Sequence, residues 1–265
     1  MGERSGFQVG DGAPRRYQDL AEPFMQPFAD VLVSASVEAG EAVLDVACGT
    51  GIAARTAATV VGAEGTVVGS DINAAMLGLA ESISRENQDG ITWDEASALD
   101  LPYEDDRFDH AVCQQGVQFF PDPPAGLQEM ARVVRPGGTV SITVWSSLGD
   151  SPYFDGMYHM LLRFCGVKAE DMAWSATGSQ IAGWFGAAGL SKPEVRQVVR
   201  TVSLPTPLEY IPAHMEATPW AQAFQSLTAD QKATAIDYMA GYVEQFLTET
   251  GADVPFSSHL ARASV

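Results

Sequence analysis

Residues 43–51 read VLDVACGTG, a short apolar run that contains one acid and ends in a turn with two glycines. An apolar run of this length that is bounded by glycines predicts a buried strand. The stretch therefore predicts a strand, a glycine turn and a helix that opens directly from the turn. The apolar positions of that helix are Ile52, Ala53, Ala57 and Val60, with Thr56 on the same face.

Strand and helix patterns alternate along the chain after Gly40. Such alternation predicts an α/β fold with a mostly parallel sheet that is covered by helices on both faces. The predicted strands are 42–47, 65–71, 91–96, 108–114, 139–145 and 194–204, with a candidate strand in the closing stretch 254–265.

Three segments outside this alternation, together with the core that contains it, complete the predicted organisation. Residues 1–16 are polar and rich in glycine, which predicts a flexible tail. Residues 17–40 form a helical arm, in which Pro23 and Pro27 should restrict the helix to about 27–37. The core comprises 41–204 with 255–265, and 205–254 is a helical insertion above one end of the sheet. Within the core, RPGG (135–138) predicts a turn and SSLGDSPYF (146–154) a loop.

Composition excludes several classes of function. The formal net charge is −19, and lysine occurs only at positions 168, 192 and 232. A polyanion would meet repulsion over most of this surface, which excludes nucleic acid and anionic membranes as partners. The absence of long apolar runs and of a charged leader, with three well-separated cysteines, predicts a soluble cytoplasmic protein with reduced thiols. Composition does not distinguish a monomer from a homodimer.

The acids near the glycine turn indicate the type of ligand. Asp71 ends the second predicted strand, where an acid typically accepts hydrogen bonds from ribose hydroxyls. GTGIAA (49–54) matches the dinucleotide pattern G-x-G-x-x-A, which favours NAD. Asp45 argues against NAD, because an acid near the mouth of the loop disfavours an anionic pyrophosphate. A cationic ligand is favoured instead.

Five motifs in order resemble the class I S-adenosylmethionine-dependent methyltransferases, and within them the small-molecule group that includes ubiquinone and menaquinone biosynthesis methyltransferases. The motifs are VLDVACGTG, VVGSDINAAML, ITWDEASALDLPY, FDHAVCQQGVQFFPD and ARVVRPGGTV. The resemblance implies a Rossmann-like, doubly wound sheet with an antiparallel last strand, and S-adenosyl-L-methionine as cofactor.

The family roles carried over to this chain concern three parts of the cofactor. Ala47, Gly49 and Asp45 are expected near the methionyl group, with Asp45 acting in a second layer or through water. Asp71 is expected to hold the ribose. The expected adenine neighbours are Ile72, Met76, Ser97 and Ala98, and Gln114 and Gln115 are placed near the methionyl group and the acceptor.

This chain departs from the family at two positions. Ala47 often corresponds to glycine, a mild change if its φ is negative. Ser97 commonly corresponds to aspartate, so its hydroxyl is expected to give a weaker, uncharged contact to adenine.

The expected reaction transfers a methyl group to a small, fairly apolar acceptor at O, N or C. His214, Glu216 and His159 are the candidates for a general base, and no metal site is predicted. An aromatic arm (Tyr17, Phe24, Phe28) and part of the insertion (Tyr210, Met215, Trp220, Phe224) are candidates to line the acceptor cavity, although core packing explains them equally well. A non-catalytic module that binds the cofactor and an NAD-dependent oxidoreductase remain as alternatives.

Overall fold

The computed structural model describes residues 13–87, 89–172 and 174–265, so the predicted tail lies outside the described residues up to position 12. The strands are β1 (Ala42–Val46), β2 (Thr66–Asp71), β3 (Thr92–Glu95), β4 (Phe108–Gln114), β5 (Val134–Trp145), β6 (Glu194–Leu204) and β7 (Ala252–Ser264). They form one seven-stranded sheet in the order β3-β2-β1-β4-β5-β7-β6. The strands β1 to β5 are parallel, and β7 is antiparallel to β5 and β6. The predicted α/β fold is confirmed.

Helices cover both faces of this sheet. They are α1 (Ala13–Ser34), α2 (Ile52–Val61), α3 (Ala74–Asn87), α4 (Pro123–Val133), α5 (Pro152–Phe164), α6 (Gly178–Ala187), α7 (Pro207–Glu216), α8 (Ala221–Gln225) and α9 (Ala229–Ala240). The side chains of β1 alternate between two buried clusters: Val43 packs in the cluster that contains α1 and α2, whereas Leu44 and Val46 pack in the cluster that contains α4 and α6. Both faces of the strand are therefore buried, as expected for a doubly wound sheet.

The strand order places an open crevice at the centre of the sheet. The chain passes from β1 to β2 on one side, whereas β4 and β5 lie on the other side. Loops that leave neighbouring strands in opposite directions separate at such a switch point, and ligands bind beyond the carboxyl ends of the strands there. The glycine turn after β1 and the segment 115–121 after β4 both lie at this position.

Helix α1 corrects the prediction for the arm. It runs without interruption from Ala13 to Ser34, with Pro23 and Pro27 in its interior. A proline inside a helix costs about 3 kcal/mol, whereas each large apolar side chain that becomes buried contributes about 1.5–3 kcal/mol. The helix buries a full apolar face on the sheet, so packing outweighs the two missing amide donors. The residues of this face include Phe24, Met25, Phe28, Val31, Leu32 and Val33.

Two further local predictions need correction. The predicted turn 135–138 lies inside β5, where Val134 pairs with Phe108 and Thr139 pairs with His110. The intervening residues bulge out of the register, and Gly137 has a φ of 87°. The predicted loop 146–154 ends in the first turn of α5, which buries Tyr153 and Phe154.

The last two strands carry the insertion. Strands β6 and β7 pair from Glu194 with Arg262 to Leu204 with Ala252, and the segment between them contains α7, α8 and α9. Because the pairing ends next to the carboxyl end of β5, these helices lie above the crevice. Within the described part of the chain, no helix is long and apolar enough to span a bilayer.

Candidate active site

A cavity of about 480 Å³ lies at the carboxyl ends of the parallel strands. Its walls come from the turn after β1, the end of β2, the segments after β3 and β4, and helices α1, α5 and α7. Nine of the ten residues predicted to bind the cofactor line it: Ala47, Gly49, Asp71, Ile72, Met76, Ser97, Ala98, Gln114 and Gln115.

Every second residue of the turn after β1 has a left-handed backbone conformation. Ala47, Gly49 and Gly51 have φ values of 55°, 57° and 85°. The condition for a mild change at Ala47, a negative φ, is therefore not met, and an alanine in this region is strained by about 1–2 kcal/mol. A side chain would not fit at position 116 beside this alanine, because a Cβ there would lie 2.9 Å from the Cβ of Ala47.

Gly51 ends the turn as the residue before α2. A side chain at this position would overlap the ring of Trp93 from β3. The glycine is thus required both by its positive φ and by the close approach of an aromatic ring. This packing fixes the glycine turn against the side chain of Trp93 in β3.

The carboxylate of Asp71 connects β2 to the glycine turn. Its Oδ2 accepts a hydrogen bond from the backbone N–H of Gly49 at 2.8 Å, and its Oδ1 accepts one from the N–H of Asn73 at 2.8 Å. Burial raises the pKa of Asp71, and these two amides partly offset that rise. Each carboxylate oxygen can accept a further hydrogen bond, so the group remains a suitable acceptor for a ligand at the cavity wall.

Asp45 does not line the cavity, which is compatible with its expected position in a second layer. Its side chain is fully buried on the α2 face of β1, and neither carboxyl oxygen has a hydrogen-bond partner among the described residues. Burial raises the pKa of Asp45 to about 8, which the nearby backbone of Ala54 and the charge of Arg55 lower only in part. Asp45 is therefore mostly protonated at pH 7, and the charge argument applied to the loop does not hold for the free protein.

Apolar walls flank Asp71. Ile72 leaves 47% of its surface exposed at the mouth of the cavity, whereas Met76 is buried behind it. On the opposite side, the Ser97 hydroxyl accepts a hydrogen bond from the N–H of Leu99 at 3.2 Å, which leaves its O–H to donate. This part of the cavity therefore has apolar walls at Ile72 and Met76 and one polar group, the Ser97 hydroxyl.

Gln114 and Gln115 line the cavity but also have structural partners. The Nε2 of Gln114 donates to the carbonyl of Met25 at 2.7 Å and so attaches α1 to the end of β4. The Nε2 of Gln115 donates to Ser258 Oγ at 2.9 Å. Their amide nitrogens therefore position the arm and the last strand.

The other end of the cavity is aromatic, with one imidazole. His214 of α7 lines this end, and its Nδ1 lies 2.8 Å from the Tyr153 hydroxyl. Burial lowers the pKa of His214 to about 4, so the ring is neutral at pH 7. The aromatic walls at this end are Phe24, Trp145, Phe154, Trp174 and Trp220, whose rings contact one another in series.

The structure does not bring the other two predicted bases to the cavity. Glu216 is exposed, because residues two positions apart on a helix point about 200° apart and His214 takes the inner face. The side chain of His159 on α5 is 45% exposed and lies 3.5 Å from Asp155. Neither residue is retained as a candidate base. Among the described residues no three His, Cys, Asp or Glu side chains cluster as a metal site would require.

The aromatic predictions divide in the same way. Phe24 and Trp220 line the cavity. Phe28, Tyr210, Met215 and Phe224 are instead buried in the core, and the side chain of Tyr17 lies outside what the structure describes. Trp145, Phe154 and Trp174 were missed, although the aromatic pair in DSPYF was a usable signal.

Comparison with known proteins finds similarity to one family. Residues 43–138, which are less than half of the chain, match the profile of a family described as a methyltransferase domain. The match begins at the first residue of the VLDVACGTG stretch, and the predicted resemblance to S-adenosylmethionine-dependent methyltransferases is confirmed.

Two curated relatives are similar to part of this chain. An uncharacterized protein of Mycobacterium tuberculosis is 40% identical over 153 residues, which are 55% of this chain and 51% of the relative. A 2-phytyl-1,4-naphthoquinone methyltransferase of Synechococcus elongatus is 40% identical over 105 residues, or 39% of this chain and 45% of the relative. The chain thus spans about half the length of the curated relatives that it matches.

Solved structures share the fold over most of this chain. An S-adenosylmethionine-dependent methyltransferase from Aquifex aeolicus aligns with a TM-score of 0.54 at 18% identity, covering 74% of this chain and 94% of that one. A [4+2]-cyclase aligns with a TM-score of 0.53 at 22% identity, covering 100% and 89%. The fold therefore also carries a different reaction, and the chemistry must be argued from the site.

Proposed function

We propose that this protein transfers a methyl group from S-adenosyl-L-methionine to a small, largely apolar acceptor of the quinol or phenol type. The observation that carries the proposal is the division of one continuous cavity. Its polar end joins the glycine turn to Asp71, and its aromatic end contains His214. A methyl donor with a ribose and an adenine fits the first end, and a flat acceptor fits the second.

The residues of the polar end have separate roles in this proposal. Asp71 accepts from the ribose hydroxyls while it holds Gly49, which keeps the turn and the ribose site in register. Ile72 and Met76 pack against adenine, and covering the exposed side chain of Ile72 adds apolar burial. Ser97 and the backbone of Ala98 meet the adenine edge. Ala47 and Gly49 lie against the methionyl part, with Gln114 and Gln115 beyond it.

The chain accelerates the transfer mainly by positioning. Bound S-adenosylmethionine supplies an activated methyl group on a sulfonium, and the electron pair of the broken C–S bond stays on sulfur. The two ends of the cavity hold donor and acceptor in line, and well-oriented reactants reach effective molarities on the order of 10⁵ M or more. The aromatic walls exclude water from the reacting atoms.

The acceptor class rests on two independent points. The acceptor end is lined by aromatic rings from α1, β5 and the insertion, which suits a planar apolar molecule. Relatives are named as naphthoquinone and demethylmenaquinone methyltransferases. We further propose a cytoplasmic location, in keeping with the free thiols of Cys48, Cys113 and Cys165.

Calorimetry and turnover test the proposal in two steps. S-adenosylhomocysteine should bind and NAD should not, because the backbone N–H of Gly49 in the turn is already bonded to the Asp71 carboxylate. Reduced 1,4-naphthoquinone, incubated with S-adenosylmethionine, should then give a methylated product by mass spectrometry. Binding of NAD without S-adenosylhomocysteine would overturn the cofactor assignment. Cofactor binding without turnover of any quinol or phenol would leave a non-catalytic binding module.

A further inference from the structure

The hydroxyl of Tyr153 determines which nitrogen of His214 carries the proton. Tyr153 is 2% exposed and does not line the cavity. Among the described residues, the Nδ1 of His214 is the one hydrogen-bond partner of this hydroxyl, at 2.8 Å. Burial raises the pKa of Tyr153 well above its usual value, so the hydroxyl keeps its proton.

A buried phenol with a single partner must donate its proton to that partner. If Nδ1 carried hydrogen, it would donate to the phenol oxygen, and the phenol proton would be left buried without an acceptor. Leaving a buried donor unpaired disfavours that tautomer by roughly one to two orders of magnitude. Nδ1 is therefore the acceptor, and the neutral ring carries its hydrogen on Nε2.

Among the described residues Nε2 has no hydrogen-bond partner, and it is not one of the unpaired polar atoms that are sealed from solvent, so it remains accessible. His214 as a whole lines the cavity. The ring is held on its other sides by Phe24, Tyr153 and Tyr210, whose centroids lie 5.7, 5.4 and 5.4 Å from that of the imidazole. The imidazole is fixed in orientation with an N–H group facing the acceptor end.

We propose that His214 is a hydrogen-bond donor that recognises an oxygen of the acceptor, and that Tyr153 is the residue that positions it for this role. The inference rests on the proposed function and narrows its acceptor. The best substrate enters as a phenolate or enolate whose proton has already passed to solvent, and Nε2–H binds that anionic oxygen. Because donation lowers the nucleophilicity of the bound oxygen, a ring carbon of the same conjugated system forms the new bond to the methyl group while the C–S bond breaks and its electron pair stays on sulfur. That carbon then loses its hydrogen to solvent as a proton, which restores the conjugated system.

Nitrogen-15 NMR of the imidazoles tests the tautomer directly. The protein has four histidines, and the signal lost in His214→Gln identifies the relevant ring. The wild-type signal should show a protonated Nε2 and an unprotonated Nδ1 at pH 7. Tyr153→Phe should move the Nδ1 signal toward a mixture of tautomers without changing the binding of S-adenosylhomocysteine. A protonated Nδ1 in the wild type would overturn the proposal.

Two substitutions at position 214 separate a donor from a base. Glutamine keeps an N–H group near the position of Nε2 but cannot accept a proton in turnover, whereas leucine has neither property. The probe is 2-hydroxy-1,4-naphthoquinone, which is anionic at neutral pH, titrated in the presence of S-adenosylhomocysteine. Loss of a hydrogen bond to a charged oxygen should weaken probe binding roughly 10- to 100-fold in His214→Leu and only a few-fold in His214→Gln.

Each outcome of this comparison is informative. Equal weakening in both variants, or no weakening in either, would refute the donor role. Binding of S-adenosylhomocysteine to all three proteins serves as the control. If the wild type fails to bind S-adenosylhomocysteine, the proposed function fails. If S-adenosylhomocysteine binds normally but the probe binds equally well to His214→Leu and His214→Gln, only the role of His214 is refuted.

Discussion

Cofactor binding should release a proton from Asp45. The pKa of about 8 means that about 90% of this carboxyl is protonated at pH 7 in the free protein. In the proposed complex, the α-ammonium group of the ligand lies above the turn that covers Asp45, and a nearby cation favours the carboxylate. If the ligand lowers this pKa by about 3 units, binding releases about 0.9 proton at pH 7 and about 0.5 proton at pH 8.

Titration calorimetry in several buffers measures this number. The observed binding enthalpy of S-adenosylhomocysteine is plotted against the ionisation enthalpy of the buffer, and the slope gives the protons released. Asp45→Asn is the matched control, because its amide has the shape of the protonated acid but no titrating group. It should bind the ligand with a slope near zero.

Two results would refute this reasoning. A slope near zero in the wild type at pH 7 would mean that Asp45 is already ionised or lies out of reach of the ligand charge. Equal slopes in the wild type and in Asp45→Asn would assign the proton to another group.

Three further predictions concern individual residues. Asp71→Ala should weaken the binding of S-adenosylhomocysteine by roughly 1–3 kcal/mol, since it removes the charged acceptor that joins the loop to the ribose; unchanged affinity in calorimetry would contradict the ribose site. Gly51→Ala should lower the free energy of unfolding by about 2–4 kcal/mol in urea titrations, because it adds an overlap with Trp93 to a left-handed backbone. Gly49→Ala, which has the same backbone strain but open space, should cost only about 1–2 kcal/mol, and equal losses would exclude the overlap. His214 has a folded pKa of about 4 against 6.5 in the unfolded chain, so the unfolded chain binds the extra proton and stability falls as the pH decreases through this range. Relative to His214→Gln, the wild type should lose about 3 kcal/mol between pH 7 and pH 4, and parallel profiles would show that the imidazole is not buried as described.

The features of the fold that follow from local patterns were predictable. A strand, a positive-φ turn and a helix N-terminus are encoded within VLDVACGTG, and the caps at Asn73 and Asp122 have the residue types that such positions require. The uninterrupted α1 was not predictable, because local rules reject Pro23 and Pro27 and only tertiary packing compensates. The bulge at 135–138 was not predictable either, because the turn residues are accommodated inside β5 by a register shift against β4, which is a tertiary interaction.

The site was predictable where strand topology determines it. Carboxyl ends of parallel strands meet at one edge, so residues that follow β1, β2, β3 and β4 had to converge. Asp45 lies inside β1, two residues before the turn, and its sequence position did not reveal that its carboxyl is fully buried with a raised pKa. The link between Tyr153 and His214 joins residues 61 positions apart on separate helices, and no spacing in the sequence signals it.

The connection between β6 and β7 has an evolutionary consequence. The two strands pair from Glu194 with Arg262 to Leu204 with Ala252, so the segment 205–251 leaves and rejoins the sheet at adjacent points. Selection can change the length and sequence of this segment while β1 to β5 stay intact. Under the proposed function, we expect that replacing it with the corresponding segment of a relative would change which acceptor is bound.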